Sequence, residues 1–166
     1  MATQIEKVIE GLVILIADSN AYTRRLTRMM LTNLGIKSIY ESADGIAAIE
    51  AIRTINPDVM ILDWDLPVLD GREVMRIVRT PGVFPKPNLP IIMLTDRGLR
   101  SRVTTAIRLG VHEFLVKPIS PKTLQQRLIG LVLNPRPMVR AGKYYIPMPR
   151  RRVDLKEFLH DTADAA

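Results

Sequence analysis

The 166-residue chain contains no cysteine. Disulfides and thiolate chemistry are therefore excluded, which fits a reducing compartment. No apolar run reaches the roughly 18–20 residues that a membrane-spanning helix needs. The amino-terminal stretch MATQIEKVIEG lacks the basic start and apolar segment of a secretory signal. Internal repeats and low-complexity tracts are missing as well. Together these absences predict a soluble, cytoplasmic protein without a membrane partner. What the chain does have is 47% apolar residues, enough for one domain with a core and an appendage.

The net charge of +7 is unevenly spread. Residues 135–152 hold six basic side chains and no acidic one, while the preceding body is only mildly basic. The pattern divides the chain into a lead-in over 1–11, a body over 12–134 and a basic, proline-containing extension over 135–166.

Within the body, short apolar runs alternate with longer amphipathic segments. The runs are Leu12–Ala17, Ser38–Glu41, Val59–Leu62, Pro90–Leu94 and Glu113–Val116. Near-continuous apolarity suits strands covered on both faces. The intervening stripes read as helices: Tyr22, Leu26, Met29, Met30 and Leu34; Ile46, Ile49 and Ile52; Val74, Ile77 and Val78; Val103, Ile107 and Gly110; Leu124, Leu128, Leu131 and Val132. Gly110 reads as a helix stop. Five strands alternating with five helices predict an α/β fold, a doubly wound five-stranded parallel sheet.

Ligands of such sheets bind beyond the carboxyl ends of the strands. Four runs end on Asp18, Asp63, Thr95 and Lys117. Each alone has an ordinary explanation: Asp63 as a loop cap, Lys117 as a solvated charge, Thr95 as a backbone partner. Converging on one rim, they make a site. Paired carboxylates suit a hard divalent cation such as Mg2+. A lysine and a hydroxyl suit phosphoryl oxygens, and an aspartate can itself be the nucleophile.

Here the sequence resembles the response-regulator receiver domain of two-component signalling, a flavodoxin-like (βα)5 fold, over about residues 12–134. The match runs through Asp18, Asp63, Pro67, Asp70-Gly71, Thr95, Phe114 and Lys117-Pro118. The resemblance implies that Asp63 is the phosphoacceptor and that Thr95 and Phe114 form a switch. It also implies that Asp18, Asp63 and the backbone carbonyl of Asp65 hold Mg2+, and that Lys117 assists. A histidine kinase or phosphotransfer protein would donate the phosphoryl group. A downstream protein would read the face over about 98–134. The proline after Lys117 is usually cis in this family.

Two positions depart from the family. Ala17 stands where the first of two adjacent carboxylates is usual, which implies weaker Mg2+ binding. Asp96 replaces the small residue that usually follows the threonine, and an acid there should repel a phosphodonor. Asp96 either pairs with Arg97 or Arg100 at the surface, the favoured reading, or makes up for the charge missing at Ala17.

Other features carry less. Phe114 alone would be core. His112 and His160 have no His or Cys partner at ligand spacing, and His112 reads as a surface residue. Prolines rule out a helix over 135–149, whereas Asp154 could cap a short helix over 154–161. Arg150, Arg151 and Arg152 could touch phosphates, but no DNA-binding module fits in 135–166, so a solvated or protein-docking arm is favoured over nucleic acid. Pairing with a second copy is the other use open to the extension. The leading expectation is a stand-alone receiver signalling through protein contacts, not an enzyme beyond its own phosphorylation and dephosphorylation. The main rival is an adaptor that is never phosphorylated. A phosphatase of haloacid-dehalogenase type, suggested by Asp63-Trp-Asp65, ranks low because no later acidic pair follows Lys117.

Overall fold

A computed structural model describes residues 2–82 and 84–148. Arg150, Arg151, Arg152, His160 and the expected helix over 154–161 lie outside the described residues. Strands β1 (Val13–Ala17), β2 (Ser38–Ser42), β3 (Val59–Asp63), β4 (Ile91–Thr95) and β5 (Glu113–Val116) form one parallel sheet in the order β2-β1-β3-β4-β5. The order changes direction after β1, and that crevice is where open α/β sheets take their ligands.

Among the described residues, six helices cover the sheet: α1 (Gln4–Glu10), α2 (Ala21–Asn33), α3 (Gly45–Ile55), α4 (Gly71–Val78), α5 (Arg100–Arg108) and α6 (Pro121–Leu133). The two faces follow from strand alternation. Leu15, Met60, Leu62, Ile91 and Met93 pack with Ala48 and Ile52 of α3, Val74 and Val78 of α4 and Ala106 of α5. Ile14, Ile16, Ile61, Ile92 and Leu94 pack with Ile9 of α1, Leu31 of α2 and Leu124 and Leu128 of α6. The three central strands are buried on both faces, as their unbroken apolar runs require. Truncating any of these leucines to alanine would cost about 2–5 kcal/mol.

Several helix stripes are rotated from the expected ones. In α2, Tyr22, Leu26 and Met29 are exposed, and the buried residues are Thr27 and Leu31. Thr27 can be buried because its hydroxyl donates back to Thr23 O at 3.0 Å, leaving nothing polar unpaired. In α3, Ile46 is exposed while Ala48 is buried, and in α5 Ile107 is exposed while Ala106 is buried. Small residues bring these helices close to the sheet, so the larger neighbour one or two positions away faces out.

The lead-in contains a helix. Thr3 and Glu6 form a reciprocal capping box at the start of α1, with bonds of 3.2 and 2.8 Å. At the other end, the proline-containing segment forms a hairpin of β6 (Met138–Ala141) and β7 (Tyr144–Pro147). It docks at the amino end of the sheet, where Tyr145 N donates to Arg79 O at 2.9 Å and Ile146 is fully buried.

His112 is not a surface residue. It is buried, its Nδ1 accepting from Ile91 N at 3.2 Å and lying 3.2 Å from Arg79 Nη2. Arg79 is wholly enclosed, donating to Gly110 O at 3.0 Å and Pro87 O at 2.7 Å. Burial pulls its guanidinium below its ordinary value. Gly110 ends α5 at φ +88°, and a Cβ there would come within 2.9 Å of Tyr145 O. Only glycine suits both the left-handed turn and the close hairpin.

Candidate functional site

The parallel register brings the strand ends into one crevice. Asp63 pairs in register with Leu94, and Thr95 with Val116. Asp18 and Lys117 each lie one residue beyond the end of their strand. Lys117 N donates to Thr95 O at 2.8 Å and Asp18 N to Ser42 O at 3.0 Å, extending the ladders past the strands. The Lys117-Pro118 peptide is cis.

The crevice is built around one ammonium. Lys117 Nζ lies 3.0 Å from Asp18 Oδ2 and 3.2 Å from Asp63 Oδ2. All three side chains are largely enclosed, with 11% of Lys117, 3% of Asp18 and 7% of Asp63 exposed. Asp18 Oδ1 also accepts from Asn20 N at 2.9 Å. Asp63 Oδ1 accepts from Asp65 N at 3.2 Å.

Burial raises the Asp63 carboxyl above its ordinary value. Lys117 pulls it down, and the charge on Asp18 adds to the rise. Lys117 moves the other way. Burial alone would lower its ammonium, but the hydrogen bond to Asp18 and the charge of Asp63 hold it above its ordinary value. Two carboxylates thus share one cation, leaving an oxygen-rich crevice with one negative charge in excess.

That donor set fits a hard divalent ion. Among the described residues, no cluster of three or more His, Cys, Asp or Glu could hold a metal alone. Mg2+ does not need one, since it keeps several waters and uses one or two carboxylates with phosphate oxygens. Ala17 is buried at the end of β1 and contributes no oxygen. Asp96 is exposed, and among the described residues no salt bridge joins it to Arg97 or Arg100.

The loop after Asp63 is held by backbone. Leu69 N donates to Pro67 O at 2.9 Å across Val68, whose φ is +70°. A β-branched residue there is strained, a state the surrounding structure must impose. Asp70 caps α4 through Arg72 N and Glu73 N. Gly71 passes so close to the acidic strand end that a Cβ would meet Asp63 O at 2.7 Å. Phe114 is half-buried on β5 and meets Trp64 edge-on, with ring centres 6.5 Å apart.

The family model for the response regulator receiver domain matches residues 14–129. The chain belongs to this family. Chemotaxis protein CheY1 of Helicobacter pylori is 32% identical over 116 residues, covering 69% of this chain and 92% of that protein. A CheY homolog of Campylobacter jejuni is 34% identical over 117 residues, covering 69% and 88%. Among solved receivers, the receiver domain of sensor histidine kinase PA1611 from Pseudomonas aeruginosa, with magnesium in its active-site cleft, is 30% identical. It superimposes with a TM-score of 0.64 and covers 72% of this chain and 95% of that one. The CheY of a CheX-CheY-BeF3-Mg2+ complex from Borrelia burgdorferi is 25% identical with a TM-score of 0.66, covering 73% and 89%. Response regulators of two-component phosphorelay signalling are thus this chain's relatives. No described helix is long and apolar enough to cross a membrane.

One side chain of the crevice has no signal in the sequence. Arg102 of α5 reaches into the crevice and bonds both Asp65 and Thr95. A helical arginine among several gives no pattern that marks it out, because only the fold decides which of Arg97, Arg100 and Arg102 turns inward.

Proposed function

We propose that Asp63 accepts a phosphoryl group from a histidine kinase or phosphotransfer protein, and that the modified receiver signals through contacts with another protein. The observation that carries this reading is Lys117 Nζ shared by two enclosed carboxylates, 3.0 and 3.2 Å away. A phosphoryl group on Asp63 would bring negative oxygens to a cation already in place.

An Asp63 carboxylate oxygen attacks phosphorus while the bond to the donor's leaving group breaks on the opposite side. Lys117 offsets charge on the phosphoryl oxygens, and the buried Thr95 hydroxyl donates to one of them. Asp18, Asp63 and the backbone carbonyl of Asp65 would hold Mg2+, which supplies further charge neutralisation when bound. Ala17 leaves this set one carboxylate short, so Mg2+ binds more weakly than in a receiver with the full acidic pair. A groove of about 340 Å3 lined by Tyr22, Leu26, Met30 and Asp96 adjoins the site at Lys117.

The face over 98–134 suits a downstream partner. It exposes Leu99, Ile107, Val116 and Leu133, apolar side chains that a protein surface would cover. In this reading the protein is no enzyme beyond its own phosphorylation and dephosphorylation. Neither nucleic acid nor a membrane is invoked.

Incubation with Mg2+ and acetyl phosphate tests the reading by intact mass. The expected result is a gain of one phosphoryl group in the wild type and none in Asp63→Asn. Ala17 favours one second reading, an adaptor that works unphosphorylated. No mass gain and no response to beryllofluoride would select it.

A further inference from the structure

Arg102 connects helix α5 to the loop that follows Asp63. Its Nη1 donates to Asp65 Oδ2 at 3.0 Å and to Thr95 Oγ1 at 2.8 Å, and its Nη2 donates to Asp65 Oδ1 at 3.2 Å. Its guanidinium carbon lies 4.8 Å from the centre of the Trp64 ring, and Trp64 in turn meets Phe114. One side chain therefore touches both residues after Asp63 and the hydroxyl at the end of the neighbouring strand.

The start of α5 has little else to hold it. Its cap position, Leu99, makes no side-chain hydrogen bond, and its first turn has no acidic residue. Arg100 and Arg102 there oppose the positive end of the helix dipole. Ala106 is the one buried residue of this helix. Helix α4 also has an arginine in its first turn, Arg72, but it has a capping box, Glu73 beside that arginine and four buried residues.

The bonds around Thr95 show what a phosphoryl group would change. Thr95 Oγ1 accepts from Arg97 N at 3.1 Å and from Arg102 at 2.8 Å. Both lone pairs are occupied, so the hydroxyl acts further only by donating its proton. A phosphoryl group on Asp63 brings about −1.5 to −2 charges and three acceptor oxygens. It accepts a hydrogen bond from that hydroxyl and offers the guanidinium a better acceptor than Asp65, whose side chain is 52% exposed and screened by water.

We propose that Arg102 is a positioning residue that fixes the start of α5 while Asp63 is unmodified and exchanges Asp65 for the phosphoryl group once Asp63 is modified. The exchange carries the state of the site to α5 and to its exposed Leu99 and Ile107. This rests on the reading of Asp63 as phosphoacceptor.

The test uses the full chain as wild type, Arg102→Met and Arg102→Lys. Hydrogen exchange across 100–108 is followed with and without Mg2+ and saturating beryllofluoride, with occupancy read by fluorine NMR. Emission of the single tryptophan, Trp64, is recorded in parallel. Beryllofluoride should shift wild-type emission and alter exchange in α5. Arg102→Met should raise exchange at the helix start at least threefold in the free protein and cut the beryllofluoride response to under a third. Arg102→Lys keeps the charge without the fork and should recover part of that response. An Arg102→Met protein that responds in full overturns the proposal, whatever its exchange in the free state. A wild type that gains a phosphoryl group from acetyl phosphate but whose α5 exchange stays still also overturns it, while leaving Asp63 as phosphoacceptor. A wild type that gains none and ignores beryllofluoride overturns both readings.

Discussion

Two enclosed cations sit at opposite ends of the sheet, and they are held in different ways. Lys117, at the carboxyl end, faces two carboxylates that repel each other. Arg79, at the amino end, donates to two backbone carbonyls and faces a histidine nitrogen, with no carboxylate among these partners. Arg79 is matched by groups already fixed in place. It joins α4, the turn before β5 and the hairpin into one packed end. Lys117 belongs to a cluster with more negative charge than its single cation balances. An arrangement of that kind is costly for stability and is kept where charge has to arrive. The contrast separates a structural end from a reactive end on one sheet.

The largest expected effect breaks the structural end. Arg79→Met should cost about 3–5 kcal/mol, because Gly110 O and Pro87 O lose their donor in a buried place. Urea unfolding measures this, and the protein that remains folded should still gain a phosphoryl group on Asp63. Lys117→Met comes next, at about 2–3 kcal/mol near neutral pH, since Asp18 and Asp63 then face each other uncompensated. The two losses should differ in kind: added Mg2+ should restore part of the Lys117→Met loss and none of the Arg79→Met loss. Ala17→Asp sharpens the reactive end by adding a carboxylate. Mg2+ affinity, titrated through Trp64 emission, should rise about tenfold, or about 1.4 kcal/mol. Smallest is Asp63→Asn, which should stabilise by about 1 kcal/mol while abolishing phosphorylation.

Asp63 also sets two pH slopes of opposite sign. Its folded carboxyl holds a proton more tightly than the unfolded chain does, whose ordinary value is 3.8. As pH rises from 3.8 through the raised folded value, the unfolded state releases its proton first, so the Asp63 contribution to stability falls. Reactivity needs the ionised carboxylate and rises across the same window. Urea midpoints for wild type minus Asp63→Asn should show the falling slope, and the phosphorylation rate of the wild type should show the rising one.

The reactive end was readable in the sequence because its chemistry lies at strand termini. Apolar runs ending on Asp18, Asp63, Thr95 and Lys117 mark both the sheet and the rim. The structural end was not readable. Arg79 looks like any surface arginine at the end of an amphipathic helix, and only the fold brings Gly110, Pro87, His112 and the hairpin around it. His112 was misjudged for the same reason, since ligand spacing says nothing about burial behind a neighbouring arginine. The helix faces were off by a position where Thr27, Ala48 and Ala106 won the core from larger apolar neighbours. Helix α1 did leave a signature, Thr3 followed by Glu6, that composition alone had hidden in a lead-in.

The most direct measurement asks which carboxylate beside Lys117 carries the phosphoryl group. The protein is treated with Mg2+ and acetyl phosphate, the acyl phosphate is trapped with borohydride, and the modified peptide is sequenced by mass spectrometry. The expected result is reduction at Asp63 alone. Modification at Asp18, or at neither residue, would contradict the assignment of the carboxyl end as a phosphoryl-accepting site.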